Sequence, residues 1–323
     1  MLKRILVAML ALLMLITGGC TQKPVQAQSF ALDTIITIKI LSGGDDEDIQ
    51  AALRRIDQCE SLLSAHRSGS DLEAINTSEG AAVSVDPLTV HILSSALQIA
   101  QQTDNALDIT LYEVSRLWDY KSDNPQLPTS EQIQTALSFR GMDRICIHDN
   151  TVTAQNTRID LGAVAKGAIG DEAAQVLKAR GVTCALLNLG GNILTLGDKS
   201  DGSPWIVSIE DPDGNGTIGS LQFSGSKAVA TSSGAQRYFE LDGVRYHHIL
   251  DPQTGYPADS GLSSVTVLAP DGLTADALST ALFVAGEDAA QTILQQYYPD
   301  CAAVLLRCDG TVRILGDALF IRE

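Results

Sequence analysis

The chain has 323 residues, with 22 Lys and Arg against 39 Asp and Glu, a formal net charge of −17. Hydrophobic residues make up 45% and charged residues 19%, which excludes a disordered, collagen-like or coiled-coil chain and leaves room for one large domain or two modest ones. A balance this acidic argues against a nucleic-acid-binding surface, because phosphate contacts need Lys and Arg, and against simple adhesion to anionic lipid head groups.

Lys3 and Arg4 lead into an apolar run, Ile5 to Ile16, with the length of a signal-peptide core and short of a comfortable membrane span. Thr17-Gly18-Gly19-Cys20 follows. Small residues before a single Cys resemble the bacterial lipobox, with Thr17 where that motif prefers Leu. An ordinary secretory signal with an incidental Cys is the alternative. The expected division is a signal peptide over 1–19, a polar lipid-anchored tether over 20–29 and the main domain over 30–323. Lipidation at Cys20 would hold the protein at the outer face of the cytoplasmic membrane. None of the other five cysteines has CxxC spacing, which argues against zinc or thioredoxin-type chemistry. Cys146 and Cys184 lie in strand-like apolar runs and are expected buried and inert. Cys301 and Cys308 are candidates for a pair.

Phe30 to Leu41 alternates and is rich in Ile and Thr, predicting one strand. Asp45 to His66 has helical spacing (Ile49, Leu53, Ile56, Leu62, Leu63), and Asp86-Pro87 reads as an N-cap and first helical position opening a helix to about Gln102. Asp108 to Trp118 and Ser130 to Phe139 predict short helices. Arg144 to His148 and Thr151 to Ala154 predict a hairpin. Ala163 to Arg180 is a helix stopping at Gly181, followed by strands Thr183 to Leu189 and Asn192 to Leu196 around Gly190-Gly191. Further short strands are expected at Trp205 to Ile209, Ile218 to Phe223, Lys227 to Ala230, Arg237 to Leu241 and Val244 to Leu250. Ser263 to Leu268 feeds a helix from about Thr274 to Ala285; a helix over Glu287 to Tyr297 and a hairpin around Asp309-Gly310 close the chain. Without regular βαβ alternation this predicts an α+β fold, a single compact unit of mixed short strands and helices with a central ligand cleft.

Five stretches are candidates for chemistry. In Asp160-Leu-Gly-Ala-Val-Ala-Lys166-Gly167 a helix start offers free N–H groups and a lysine one turn in, suited to phosphate, although no Walker loop is present and a plain helix start with a surface lysine reads equally well. Asp276 and Thr280 share a helix face, two hard oxygens of the kind Mg²⁺ accepts, or else a charge at a helix start and a packed threonine. In Arg245-Tyr-His247-His248-Ile-Leu-Asp-Pro-Gln-Thr-Gly255, strand alternation sends the two histidines to opposite faces, one toward a site and one toward solvent. They suit metal ligation, general-base work or neither. Leu187-Asn-Leu-Gly190-Gly191-Asn192 and Ala230-Thr-Ser-Ser-Gly234 read as turns, the second rich in hydroxyls.

Together and in order, these segments resemble the bacterial FAD:protein FMN transferases, the ApbE-like flavin transferases. The resemblance runs from about Phe30 to about Gly286 and rests on Asp160–Gly167, Asn188–Asn192, Ala228–Ser232, His247–Gly255, Ser264–Val267 and Ala275–Thr280, with weaker support from Leu63-Ser-Ala-His66 and Ala106-Leu-Asp-Ile-Thr110. The resemblance implies Mg²⁺-dependent attack by a Ser or Thr hydroxyl of a target flavoprotein on FAD, leaving FMN on the protein and releasing AMP. It implies metal ligation by Asp276, Thr280 and the carbonyl of Ala163. It implies FAD contacts at Leu32, His66, Ala106, Leu107, Asp108, Asp160, Lys166 and Leu250, with His248 as acid–base help beside the catalytic Asp276. FAD is then a substrate, and the acceptors are exported or membrane flavoproteins with a Ser/Thr target motif.

The chain departs from the family pattern at Leu32-Asp33-Thr34 where Met-Gly-Thr is usual, at His66 where Tyr is usual, and at Ser279 where Asp is common. Two other readings therefore stand beside transfer: FAD hydrolysis to FMN and AMP, and a non-catalytic exported FAD-binding lipoprotein.

Overall fold

Alternation puts one residue in two on each face of a strand, and the chain uses this from Val25 onward. In the computed structural model, which describes residues 23–322 except 121, 123, 124 and 215, Val25–Ala31 (β1) and Thr34–Ser42 (β2) form an antiparallel hairpin. The expected signal peptide and Cys20 lie outside those residues. Two expectations change here. The single strand Phe30 to Leu41 is two strands, and residues 25–29, expected as tether, belong to β1. That strand reads as polar because it is a sheet edge with one face open: Gln26, Gln28 and Phe30 point outward while Ile36, Ile38 and Ile40 of β2 are buried. The turn is Leu32-Asp33, both at φ +56°. A two-residue hairpin turn of this type needs positive φ at both central residues, normally supplied by Asn-Gly.

Asp46–Leu63 (α1) starts with Asp45 and Asp48 closing a capping box and buries a helical stripe of Ile49, Ala52, Ile56, Cys59 and Leu63. Asp71–Thr77 (α2), Val83–Ser84 (β3) and Pro87–Gln102 (α3) follow, the last with Asp86 as N-cap and Pro at the first position. Tyr112–Trp118 (α4) and Ser130–Leu137 (α5) are the two short helices. Ile145–His148 (β4) and Thr151–Ala154 (β5) form the expected hairpin, and β5 also pairs with β3. Ala165–Ala179 (α6) leads to Cys184–Leu189 (β6) and Asn192–Leu196 (β7).

Trp205–Glu210 (β8), Thr217–Phe223 (β9), Ala228–Ser233 (β10), Tyr238–Leu241 (β11) and Val244–His247 (β12) come next. The Thr231–Ser233 segment, expected as a turn, is strand: it lies opposite Ser264–Thr266 of Leu262–Ala269 (β13), and a hydroxyl there bonds to its neighbours instead of to a turn backbone. Gly272–Ala285 (α7), Glu287–Tyr297 (α8), Ala302–Arg307 (β14), Val312–Leu315 (β15) and the unforeseen Leu319–Arg322 (β16) complete the chain.

The main sheet has the order β1-β2-β6-β7-β10-β13-β14-β15 with every pair antiparallel. Helices α1, α6 and α7 cover one face and supply most of the core. The small sheet β16-β9-β8 covers part of the other through Ile209 and Leu221 against Val229, Leu268 and Val304. β13 is covered on both faces and is buried almost throughout. The fold is α+β, as expected. All five described cysteines are free; Cys301 and Cys308 do not pair. Cys146 is exposed rather than buried, because Ile145 takes the inward place at the head of β4.

Candidate functional site

The site begins where two helices meet without side chains between them. A Cβ on Gly167 of α6 would stand 2.0 Å from the carbonyl oxygen of Gly272, and one on Gly272 of α7 2.4 Å from the carbonyl oxygen of Gly167. Only glycines allow this approach. It lets Asp276, one turn into α7 and 4% exposed, reach the first turn of α6. There Asp276 Oδ2 accepts from the Gly167 N–H at 2.9 Å, and Lys166 Nζ lies 3.6 Å from Oδ1. Gly167 is the third residue of α6, whose first-turn N–H groups have no helical carbonyl to bond. Asp276 takes up that free donor, and the Ala163 carbonyl, ahead of the N-cap Val164, lies outside the helical ladder.

The same face of α7 carries Ser279 and Thr280. Ser232 on β10 hydrogen-bonds to both, at 2.9 and 3.1 Å, so the three hydroxyls share one chain. A buried carboxylate, a hydroxyl and a carbonyl outside the ladder are all hard oxygen donors. That donor set fits Mg²⁺, which takes few protein ligands and completes its shell with water and phosphate.

His247 ends β12 and His248 follows it. The expectation that one faces solvent is corrected: both are half-buried, His247 beside the Phe283 ring and His248 against the backbone of Arg237. The His247 ring stands edge-on to Phe283 at 5.5 Å, with Nδ1 buried and unpartnered. His248 Nδ1 is 3.2 Å from the Arg237 carbonyl. Burial, with the Arg237, His247 and Lys166 charges adding to it, lowers His248 to about 4. The imidazole is therefore neutral at pH 7, the form that accepts a proton.

An aromatic cluster holds the segment after it. Trp118 is fully buried, donates from Nε1 to the Gly255 carbonyl at 2.9 Å and packs on Tyr120, Phe239, Tyr246 and Tyr256. Tyr120 donates to the His247 carbonyl at 2.8 Å. Leu250 is 7% exposed within this cluster.

A third segment is tied to the second by charge. The Asp108 side chain is 1% exposed; its Oδ1 accepts from the Thr110 N–H and hydroxyl, and Arg140 Nε lies 2.9 Å from Oδ2 as an ion pair without hydrogen-bond alignment. Burial raises the Asp108 carboxyl above its ordinary range, against the pull of Thr110 and Arg140. Arg140 also donates from Nη1 to the Pro252 carbonyl at 2.5 Å. One guanidinium thus joins Ala106–Asp108 to the segment bearing His248 and Leu250. Arg140→Ala is expected to cost on the order of 3 kcal/mol, because it strands a buried carboxylate. Arg140→Lys restores the charge but not both contacts and is expected to recover only part. Urea unfolding of the three proteins measures this, and an Arg140→Ala protein as stable as the parent would count against the clamp.

Asp160 donates its N–H to the Ile109 carbonyl at 2.8 Å and accepts from the Gly162 N–H at 2.7 Å, which sets the third segment beside the start of α6. Leu32 donates its N–H to Glu60 at 3.1 Å. His66 is exposed, its ring 6.0 Å from that of Tyr112. Leu32 and His66 are thus held by neighbours of their own. Lys166, Asp276 and Thr280 are gathered directly by α6 and α7.

The ApbE family model matches residues 32–305, most of the chain. The chain belongs to the ApbE family. An FAD:protein FMN transferase of Treponema pallidum is 34% identical over 305 residues, covering 87% of this chain and 84% of the relative. One of Vibrio cholerae is 32% identical, covering 90% of each. The crystal structure of the ApbE protein of Thermotoga maritima is similar at a TM-score of 0.84 and 33% identity, covering 90% of this chain and 97% of that one. The flavin transferase ApbE of Vibrio cholerae is similar at a TM-score of 0.80 and 27% identity, covering 90% and 96%.

Within this ApbE fold, sequence reasoning missed Arg140, Ser232 and Arg237. Ser232 stands inside a segment whose hydroxyls read as a turn, and its hydroxyl was the available signal. Arg140 and Arg237 carry no local pattern, since their partners lie 112 and 11 residues away.

Proposed function

We propose that the chain transfers the FMN half of FAD to a Ser or Thr hydroxyl of an exported or membrane flavoprotein, with AMP as the leaving group. The observation that carries the reading is the junction of α6 and α7, where Asp276 meets both Lys166 and the free first-turn N–H of Gly167, with Thr280 one turn on along α7 and Ala163 just ahead of α6. Asp276, Thr280 and the Ala163 carbonyl would hold Mg²⁺. The ion would neutralise pyrophosphate charge, the main requirement of phosphoryl transfer.

The chain's own groups supply the rest. Lys166 adds fixed positive charge beside Asp276. His248, kept neutral by burial, takes the proton of the acceptor hydroxyl as its oxygen bonds to the FMN-side phosphorus and the P–O bond to AMP breaks. Asp108 and Asp160, held at the mouth of α6 through Ile109 and Thr110, flank the nucleotide with Ala106 and Leu107, and Leu32, His66 and Leu250 border the flavin. Lipidation at Cys20 would keep the enzyme at the outer face of the cytoplasmic membrane, beside such acceptors; its support is the Thr17–Cys20 sequence, and membrane release of a Cys20→Ala chain tests it.

The test of the activity is the full chain in detergent with FAD, Mg²⁺ and a flavoprotein domain carrying a target Thr, read by in-gel flavin fluorescence and AMP chromatography. A fluorescent acceptor band with equimolar AMP is expected. AMP and free FMN without a band would assign hydrolysis, and bound FAD without AMP would assign a flavin carrier.

The pH dependence follows from His248. A histidine lowered from 6.5 to about 4 accepts its proton only near pH 4. The acid limb of kcat/KM is therefore expected near pH 4, not near 6.5. The same shift makes the unfolded chain bind the proton first, so the stability this group contributes is full above pH 6.5 and falls as pH drops toward 4. An acid limb centred near 6.5 would show His248 to be solvated or outside the reaction.

A further inference from the structure

Asn192 stands at the head of β7, 5% exposed, and its Nδ2 is buried with no hydrogen-bond partner. A buried amide donor left unpaired costs about 1–3 kcal/mol, and folded proteins seldom keep one without a reason. Its position gives the reason. Leu194, two residues on and on the same face of β7, packs against Gly170 of α6, where a Cβ would lie 2.6 Å from Leu194 Cδ1.

Strand β7 and helix α6 run in the same direction, because β6 between them turns the chain back. Two residues back along the strand is about 6.6 Å, and one turn back along the helix about 5.4 Å. Asn192 is therefore level with Lys166 and Gly167, on the face of the sheet that α6 and α7 cover. The neighbouring strand agrees. Leu194 pairs with Ala228 and Ile193 with Val229. The register continues Asn192 beside Ala230, two residues short of Ser232, which binds Ser279 and Thr280.

We infer that the Asn192 side-chain amide is a substrate-binding group that donates a hydrogen bond to a pyrophosphate oxygen of the bound dinucleotide, from the sheet side of the site. The assignment rests on the proposed use of FAD. It places a neutral donor opposite the charged groups of α6 and α7, so that the phosphates are held from two sides. It also accounts for a buried donor that the fold alone leaves unsatisfied: such groups persist where a ligand completes them.

The test uses Asn192→Leu in the full chain. Leucine keeps the branched outline and the number of side-chain heavy atoms, with bulkier methyl ends, and removes the unpaired donor, so the variant is expected to melt at or above the parent's temperature. Its affinity for FAD with Mg²⁺, read by flavin fluorescence, is expected to fall tenfold to a hundredfold, the range for a lost hydrogen bond to a charged acceptor. ADP, which carries the pyrophosphate without the flavin, is expected to weaken in parallel. Stability and binding moving in opposite directions is a result that a structural amide cannot give. Should the leucine chain fail to fold, Asn192→Asp keeps the shape while losing the donor and is expected to show the same loss of both ligands. FAD binding within twofold of the parent in the folded variant would overturn the inference, as would weakened FAD with unchanged ADP, which moves the contact to the flavin. A parent that binds no FAD would overturn the proposed function as well.

Discussion

Asp276→Asn is expected to lower flavin transfer by about a hundredfold or more, with little change in stability. The carboxylate sits where two helices converge, with one oxygen on the Gly167 N–H and the other 3.6 Å from Lys166. Asparagine preserves the volume and, with its oxygen toward Gly167, that hydrogen bond. It removes the anionic charge, and its amide hydrogens then face the Lys166 ammonium. Mg²⁺ sites are built on one or two carboxylates, so losing this one removes most of the affinity for the ion. The folding cost is small, because the ion pair with the one-third-exposed Lys166 is worth about 1 kcal/mol or less. AMP release and acceptor labelling measured across a Mg²⁺ titration check this. Activity above a tenth of the parent's with an unchanged Mg²⁺ requirement would remove Asp276 from the metal site.

Gly167→Ala is expected to do the reverse of what helix propensity says. In an exposed helix interior, Gly to Ala stabilises by about 1 kcal/mol. Here the new methyl would stand 2.0 Å from the Gly272 carbonyl oxygen and 2.8 Å from the Asp276 Cβ. The first of these is backbone, so a side chain cannot swing aside; α6 and α7 must separate. Overpacking of a close contact costs about 1–3 kcal/mol, and separation also lengthens the Gly167–Asp276 hydrogen bond. We expect a net loss of about 3 kcal/mol, a melting temperature lower by roughly 5 °C, and loss of transfer because the oxygens of α6 and α7 move apart. Thermal unfolding and the AMP assay measure the two effects. A Gly167→Ala protein with the parent's melting temperature and activity would show that the approach of these helices is not needed.

Both results concern a contact that sequence reading reached only in part. Helix α3 was legible from Asp86-Pro87 and helix α1 from its apolar stripe, because caps and periodicity are local. Asp276 and Thr280 were legible as a pair for the same reason, being four residues apart on one face. That the free first-turn N–H of Gly167 would bond to Asp276 was not, since the two lie 109 residues apart and glycine announces only that something passes close. Edges and doubly covered strands were misread for opposite reasons. β1 looked like a tether because one face is open to water. The hydroxyls of β10 looked like a turn because serine and threonine usually satisfy a local backbone, whereas here Thr231 and Ser232 bond to Thr266, Ser279 and Thr280 on other elements. The residues that couple segments, Arg140 above all, leave no mark near themselves.

Were the chain anchored at Cys20 as proposed, the early start of β1 would set how far the enzyme can work from a bilayer. With lipid on Cys20, as proposed, only Thr21 to Pro24 separate the anchor from Val25, a leash of about 18 Å at full extension. From Val25 the strand runs seven residues, about 23 Å, to the turn at Leu32. That turn lies at the end of the sheet shared with Gly190, since Thr34 is the residue a Cβ on Gly190 would strike, and hence with Asn192. On that proposal the cleft would be carried at the far end of β1, with little slack to vary its height. Acceptors whose target hydroxyl projects about 20–40 Å above the membrane would be served, and ones lying flat against the lipid would fall below the enzyme's reach.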